Sequence, residues 1–105
     1  MWVLDIRTFQ EYDQRHVCDA INVPTPMPPL DIRARQVLLA RLQRLNLPVG
    51  DTIYVYCAKG IRSKIAAALL RQLGHTVVDL GGIEDLRNYQ VNFPYTMCTS
   101  LSKTR

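Results

Sequence analysis

The length and composition of the chain predict one ordinary globular domain. Its 105 residues can enclose a single hydrophobic core, and 48% hydrophobic with 21% charged residues exclude a disordered or fibrous protein. No apolar run approaches the roughly 18 residues that span a bilayer, which argues against a membrane protein. The basic residues are dispersed along the chain, so the net charge of +4 favours small anions over a nucleic acid as partners. Asp5 interrupts the stretch where a secretory signal would be apolar, which predicts a cytoplasmic protein.

The three cysteines, Cys18, Cys57 and Cys98, form no recognisable framework. Their number is odd, and their spacing matches neither a disulfide scaffold nor a zinc site. We therefore expect three separate thiols in a reducing compartment, and no metal.

Four apolar stretches rich in strand-forming side chains alternate with two helical patterns. The strands are predicted at residues 2–6, 20–23, 53–57 and 76–80, and the helices at 31–46 and 61–73. Asp31 is a typical helix N-cap, and Gly74 is a typical left-handed residue after a helix end. Because the strands are continuously apolar, they suit a central, mostly parallel sheet with helices on both faces, which is an α/β fold.

Two segments fall outside this pattern. Residues 23–30 hold four of the six prolines and are predicted to be an ordered connector, and residues 95–105 lack apolar periodicity. We therefore expect one domain over residues 1–94, followed by a flexible C-terminal tail over 95–105.

The segment CAKGIRS at residues 57–63 joins a predicted strand to a predicted helix. Open α/β sheets bind ligands at the carboxyl ends of their strands, and the unpaired N–H groups of a helix N-terminus attract anions. The same field stabilises a thiolate, so Cys57 is the candidate catalytic nucleophile. A buried, unreactive cysteine is the alternative, but the surrounding residues favour a functional loop. The candidate anion-binding residues are Ala58, Lys59, Gly60, Ile61, Arg62 and Ser63, with Gly60 at positive φ and with Lys59 and Arg62 supplying charge at the rim.

The loop resembles the active-site loop of the rhodanese family, in which a cysteine is followed by a glycine, an arginine and a serine or threonine at these spacings. Three further segments occur in the family's order: LDIRTFQEY at 4–12, HVCDAINVP at 16–24, and LGG at 80–82. The resemblance covers most of residues 2–90.

The resemblance implies a rhodanese-like sulfurtransferase. Its thiolate, here Cys57, would take a sulfane sulfur from thiosulfate or a related small anionic donor, hold it as a persulfide and pass it to a thiol, protein or cyanide acceptor, without a cofactor. Asp5 and Arg7 match an early Asp and Arg of the family and are candidates for supporting the loop, while an ordinary surface ion pair is the alternative.

Two other functions are retained as alternatives. Cysteine phosphatases and arsenate reductases that resemble this fold have a loop longer by one residue than the four residues between Cys57 and Arg62, so we regard them as less favoured. A binding or regulatory module with little turnover is the second alternative.

The chain also departs from the family pattern. Arg15 and Asp19 replace glycines of the family, and Leu86 replaces a tryptophan. The sequence starts almost directly at the first predicted strand, where family members normally carry an earlier strand and helix. Either the domain is a minimal version of the fold, or it leaves a sheet edge exposed that a partner chain covers, and the second alternative implies a homodimer.

Overall fold

The computed structural model describes residues 1–90 and 92–99 and has the predicted α/β architecture. A four-stranded parallel sheet lies at its centre, and a short antiparallel pair of strands lies beside it. In chain order the elements are β1 (Trp2–Asp5), α1 (Phe9–Gln14), β2 (His16–Val17), β3 (Ile21–Asn22), α2 (Ile32–Arg44), β4 (Thr52–Cys57), α3 (Ile61–Gln72), β5 (Thr76–Gly82), a 3₁₀ helix (Ile83–Tyr89) and β6 (Met97–Cys98).

The central sheet has the strand order β3-β1-β4-β5 and buries both faces. Consecutive residues of a strand point to opposite faces, so Leu4 and Val55 enter the core beneath α2 and α3, while Val3 and Tyr56 enter a second core. The second core is closed by the 3₁₀ helix and by the buried Phe93. This two-sided burial explains why the strands are apolar throughout.

The helices begin and end where local chemistry predicts. The Asp31 carboxylate accepts the Ala34 N–H at 2.8 Å and starts α2, whose Leu38 and Leu42 are buried. Gly74 has φ +94° directly after the end of α3, which confirms its predicted role. In the part of the chain that the structure describes, no helix has the length and apolarity to span a membrane.

Helix α1 was absent from the sequence-based prediction. It has only six residues and no buried residue, so apolar periodicity could not reveal it. Its start is fixed by a capping box in which Thr8 Oγ1 accepts the Glu11 N–H at 3.2 Å and the Glu11 carboxylate accepts the Thr8 N–H at 2.9 Å. The Thr-x-x-Glu spacing at residues 8–11 was the available signal.

The expectation of three separate thiols was wrong, because Cys18 and Cys98 form a disulfide with Cα atoms 5.0 Å apart. β2 and β6 pair antiparallel, with His16 opposite Cys98, and the Cys18 N–H donates to the Thr96 carbonyl at 2.8 Å. Phe93, which is buried in the second core, anchors the segment that leads to β6. The pairing therefore depends on tertiary structure that spacing along the sequence does not encode.

This disulfide also bears on the predicted tail. Residues 95–99 lie against β2 and include β6, whereas the rest of the predicted tail, 100–105, falls outside the described residues. Among the residues that the structure describes, Cys57 is the one free cysteine.

Candidate active site

The predicted loop brings two backbone N–H groups onto the sulfur of Cys57. The Gly60 and Ser63 amides donate to Cys57 Sγ at 3.0 and 3.3 Å. The first intrahelical hydrogen bond of α3 runs from the Lys64 N–H to the Gly60 carbonyl, so the N–H groups of the preceding turn have no intrahelical acceptor. The sulfur consequently lies in a concave array of positive partial charge that suits a thiolate or a bound anion.

Glycines give this loop its shape. Gly60 has φ +98°, the left-handed conformation that the sequence predicted, and this turns its N–H toward the sulfur. Gly82, at the end of β5, packs so closely below the loop that a Cβ there would lie 2.6 Å from the Ala58 carbonyl oxygen. Ser63 Oγ completes the packing with a 3.3 Å hydrogen bond to the Gly60 carbonyl. The backbone of the loop is thus fixed by contacts with the first turn of α3 and with the end of β5.

The structure places Arg62 differently from the sequence prediction. Its guanidinium is buried and makes a two-pronged contact with the Glu11 carboxylate, at 2.8 and 3.1 Å, and a 3.3 Å hydrogen bond to the Thr25 carbonyl. A fork already engaged in this way is not free at the rim to bind an anion. Arg62 instead ties the start of α3 to α1 and to the connector 23–30.

Glu11 is the functional residue that the sequence analysis overlooked. Its hydrogen bonds with Arg62 lower the pKa of the Glu11 carboxyl from 4.5 to about 2, and the Thr8 N–H adds to this effect against the opposing effect of partial burial. Glu11 is therefore ionised at neutral pH and balances the buried charge of Arg62. The acid lies within the segment 4–12 that carried the family resemblance, which was the signal for it.

Lys59 supplies the remaining predicted charge. Its side chain is exposed beside a cleft of about 340 Å³, which is lined by Met27, Pro28, Cys57, Ala58, Lys59, Ile61 and Arg62. The Cys57 residue itself is only 1% exposed, so its sulfur is reached through this cleft. The exposed Lys59 ammonium thus lies beside the route to Cys57 Sγ.

Asp5 and Arg7 lie in a buried network below the loop, which rules out the surface ion pair considered for them. Their side chains are 2.7 Å apart, and Tyr56 donates its hydroxyl hydrogen to Asp5 Oδ2, also at 2.7 Å. The Tyr56 oxygen in turn accepts the Val17 N–H at 3.0 Å. Burial, followed by the neighbouring Asp5 carboxylate, raises the pKa of Tyr56, so the phenol stays protonated and remains a donor. This network fixes the residue immediately before Cys57.

Comparison with known proteins assigns the family. The model of the rhodanese-like domain matches residues 1–88, which is most of the chain. The chain belongs to the rhodanese-like domain family. The resemblance drawn from the loop and its three companion segments is thereby confirmed.

Individual rhodanese-like relatives support this assignment. Thiosulfate sulfurtransferase PspE of Escherichia coli (strain K12) is 31% identical over 86 residues, which cover 81% of this chain and 72% of PspE. A solved structure described as a rhodanese with anions from E. coli is 25% identical, with a TM-score of 0.68 over 93% of this chain and 96% of its own. A rhodanese-related protein from Thermoplasma volcanium is 28% identical, with a TM-score of 0.61 over 90% and 82% of the two chains.

The departures from the rhodanese pattern are accommodated locally. Asp19 adopts φ +70°, the conformation for which a glycine is usual, and thus keeps the turn. Arg15 has an extended backbone at the end of α1 and needs no glycine. Leu86 is fully buried in the second core, where it replaces the larger tryptophan.

Proposed function

We propose that this rhodanese-like domain is a sulfurtransferase that carries a sulfane sulfur on Cys57. The observation that carries the proposal is the convergence of the Gly60 and Ser63 amides on Cys57 Sγ at the start of α3. The relationship to a protein named thiosulfate sulfurtransferase supports the same chemistry.

The first half-reaction forms the persulfide. The Cys57 thiolate attacks the sulfane sulfur of thiosulfate, the sulfur–sulfur bond of the donor breaks, and sulfite leaves with the bonding electron pair. The terminal sulfur of the new persulfide carries negative charge, which the array of N–H groups at residues 58–63 stabilises. Lys59 at the entrance favours a donor that is itself anionic.

The second half-reaction regenerates the thiolate. A nucleophilic acceptor, either a thiolate or cyanide, attacks the terminal sulfur, and the electron pair of the enzyme's sulfur–sulfur bond returns to Cys57. The Gly60 and Ser63 amides hold the leaving thiolate as they held the attacking one. No further redox partner is needed, because the sulfane sulfur keeps its oxidation level throughout the transfer.

Intact-protein mass spectrometry tests this proposal directly. We expect incubation with thiosulfate to add one sulfur, about 32 Da, to the native protein and none to Cys57→Ser, and cyanide to remove it through the covalent intermediate. A Cys57→Ser variant that gained the same mass or retained turnover would refute the assignment of Cys57. A native protein that stayed unmodified with thiosulfate and with glutathione persulfide, while its thiol still reacted with iodoacetamide, would instead support a binding module with little turnover.

A further inference from the structure

Large apolar side chains are concentrated around the entrance to the Cys57 cleft. Eight such side chains are exposed among the described residues. Four of them, Phe9, Met27, Ile32 and Ile61, belong to segments at the carboxyl ends of the parallel strands, where the cleft opens. Their exposed fractions are 55, 62, 77 and 54%. An apolar cluster of this kind, open to solvent, is typical of a surface that another molecule covers.

The fold places these four residues at the end of the sheet where the parallel strands finish. Met27 and Ile61 line the cleft itself. Phe9 is the first residue of α1, the helix whose Glu11 holds the cleft residue Arg62. Ile32 is the first residue of α2. Arg35 of α2 and Lys64 of α3 line a common depression on the surface, which shows that the first turns of these two helices are neighbours. We call the surface formed by Phe9, Met27, Ile32 and Ile61 the cleft face.

Three exposed cations lie around the cleft face. Lys59, Arg35 and Lys64 are exposed there, and none of them forms an ion pair within residues 1–90 and 92–99. Of the carboxylates nearby, Glu11 is paired with Arg62. Asp31 and Asp85 accept the Ala34 and Gly82 N–H groups and keep their negative charge, so they offset part of the positive charge. The cleft face therefore complements a partner that combines apolar and acidic groups.

We propose that the cleft face docks an acidic protein with an accessible cysteine, and that this cysteine is the sulfur acceptor. The inference rests on the proposed sulfurtransferase function and specifies its acceptor. A small thiol can contact Met27 and Ile61 inside the cleft, but Phe9 and Ile32 do not line it, so only a larger molecule covers all four side chains. The partner's thiolate attacks the terminal persulfide sulfur, Cys57 leaves as a thiolate, and the partner departs with the persulfide.

Designed peptides provide the test. The probe is an acidic amphipathic peptide with a single cysteine flanked by leucine, aspartate and glutamate, and its control has glutamine in place of every leucine. Sulfur transfer from the loaded protein to each peptide, and separately to cyanide, is followed by mass spectrometry. We expect faster transfer to the leucine peptide than to the glutamine peptide, and a rate that falls as salt rises from about 20 to about 300 mM, since salt screens the exposed charges.

Variants outside the catalytic loop separate docking from chemistry. Ile32→Gln, Phe9→Gln and Lys64→Gln should each slow transfer to the leucine peptide by at least about threefold, as expected when an interface side chain that contributes to affinity is removed. Their transfer to cyanide should match that of the native protein. Val49→Gln is the matched control, because Val49 is 61% exposed but lies before β4, at the amino end of the strands and away from the cleft. This variant should change neither the rate of transfer to the leucine peptide nor the rate of transfer to cyanide.

The outcomes distinguish the two proposals. If the protein loads sulfur and passes it to cyanide, but the leucine peptide is no better an acceptor than the glutamine peptide or is insensitive to Ile32→Gln and Phe9→Gln, the docking proposal is overturned and the sulfurtransferase proposal stands. If the protein never loads sulfur on Cys57, the proposed function itself fails, and the docking proposal fails with it.

Discussion

Replacing Glu11 by glutamine should destabilise the protein in a manner that depends on pH. The pKa of Glu11 falls from 4.5 to about 2 in the folded state, chiefly through the Arg62 hydrogen bonds. One pKa unit corresponds to about 1.4 kcal/mol, so the ionised carboxylate stabilises the fold by up to about 3 kcal/mol. The Glu11 side chain is still 21% exposed, and screening by solvent brings our expectation to about 1–3 kcal/mol.

The direction of the pH effect follows from the lowered pKa. The stabilisation is complete above pH 4.5, where Glu11 is ionised in both the folded and unfolded states, and it is lost as the pH falls toward 2, where the folded state also binds the proton. Urea denaturation at pH 7, 5 and 3 should therefore show that Glu11→Gln is least stable relative to the native protein at neutral pH. The difference between the two proteins should shrink by about half at pH 3.

A second acid provides the control for this experiment. Glu84 pairs with Arg15 on the surface, where the two side chains are 77 and 48% exposed, so Glu84→Gln should cost less than about 1 kcal/mol at every pH. Equal losses for Glu11→Gln and Glu84→Gln, or a Glu11→Gln loss that is independent of pH, would contradict the role given to the contact between Glu11 and Arg62. Because that contact also anchors the start of α3, Glu11→Gln should reduce sulfur loading as well, whereas Glu84→Gln should not.

Two further predictions concern the loop support and the disulfide. Gly82→Ala places a Cβ 2.6 Å from the Ala58 carbonyl oxygen, so it should displace the loop. We expect it to lower the free energy of unfolding by about 1–3 kcal/mol and to slow sulfur loading. Gly50→Ala, whose Cβ would have no non-adjacent residue within 4 Å in the described part of the chain, should leave the loading rate unchanged. The Cys18–Cys98 disulfide joins residues 80 positions apart, which predicts a stabilisation of about 3–5 kcal/mol by restriction of the unfolded chain. Reductant should abolish this stabilisation in the native protein and leave the stability of the Cys18→Ser/Cys98→Ser variant unchanged. Equal urea midpoints for the oxidised and reduced native protein would exclude the predicted stabilisation. Because disulfides are rare in the cytosol, the redox state of these cysteines in cells also tests the predicted cytoplasmic location.

The parts of the fold that the sequence predicted are those coded by local patterns. The apolar stretches placed the four strands of the central sheet, and the Asp31 and Gly74 signals placed two helix boundaries, because capping and left-handed turns depend on a few neighbouring residues. The place of Cys57 at the end of a strand and the curvature at Gly60 were predictable for the same reason: both follow from a strand, a glycine and a helix start within seven residues.

The parts that escaped prediction depend on contacts between distant segments. Arg62 was assigned to the rim because its charge was visible in the sequence, while its burial depends on Glu11, which is 51 positions away along the chain. The disulfide required the return of the C-terminal segment around Phe93, and β2 and β6 are strands of only two residues with no pattern of their own. Long-range pairing of this kind becomes visible only in the folded chain.

The Cys18–Cys98 bond has a topological consequence. It joins the two ends of a segment that contains the entire central sheet apart from β1, so the oxidised protein is close to a covalent circle. A single proteolytic cut in the exposed turn before β4 would open this circle without dividing the molecule. The cut protein would migrate as one species without reductant and as two fragments with it, and β1, held between β3 and β4, would keep its place in the sheet.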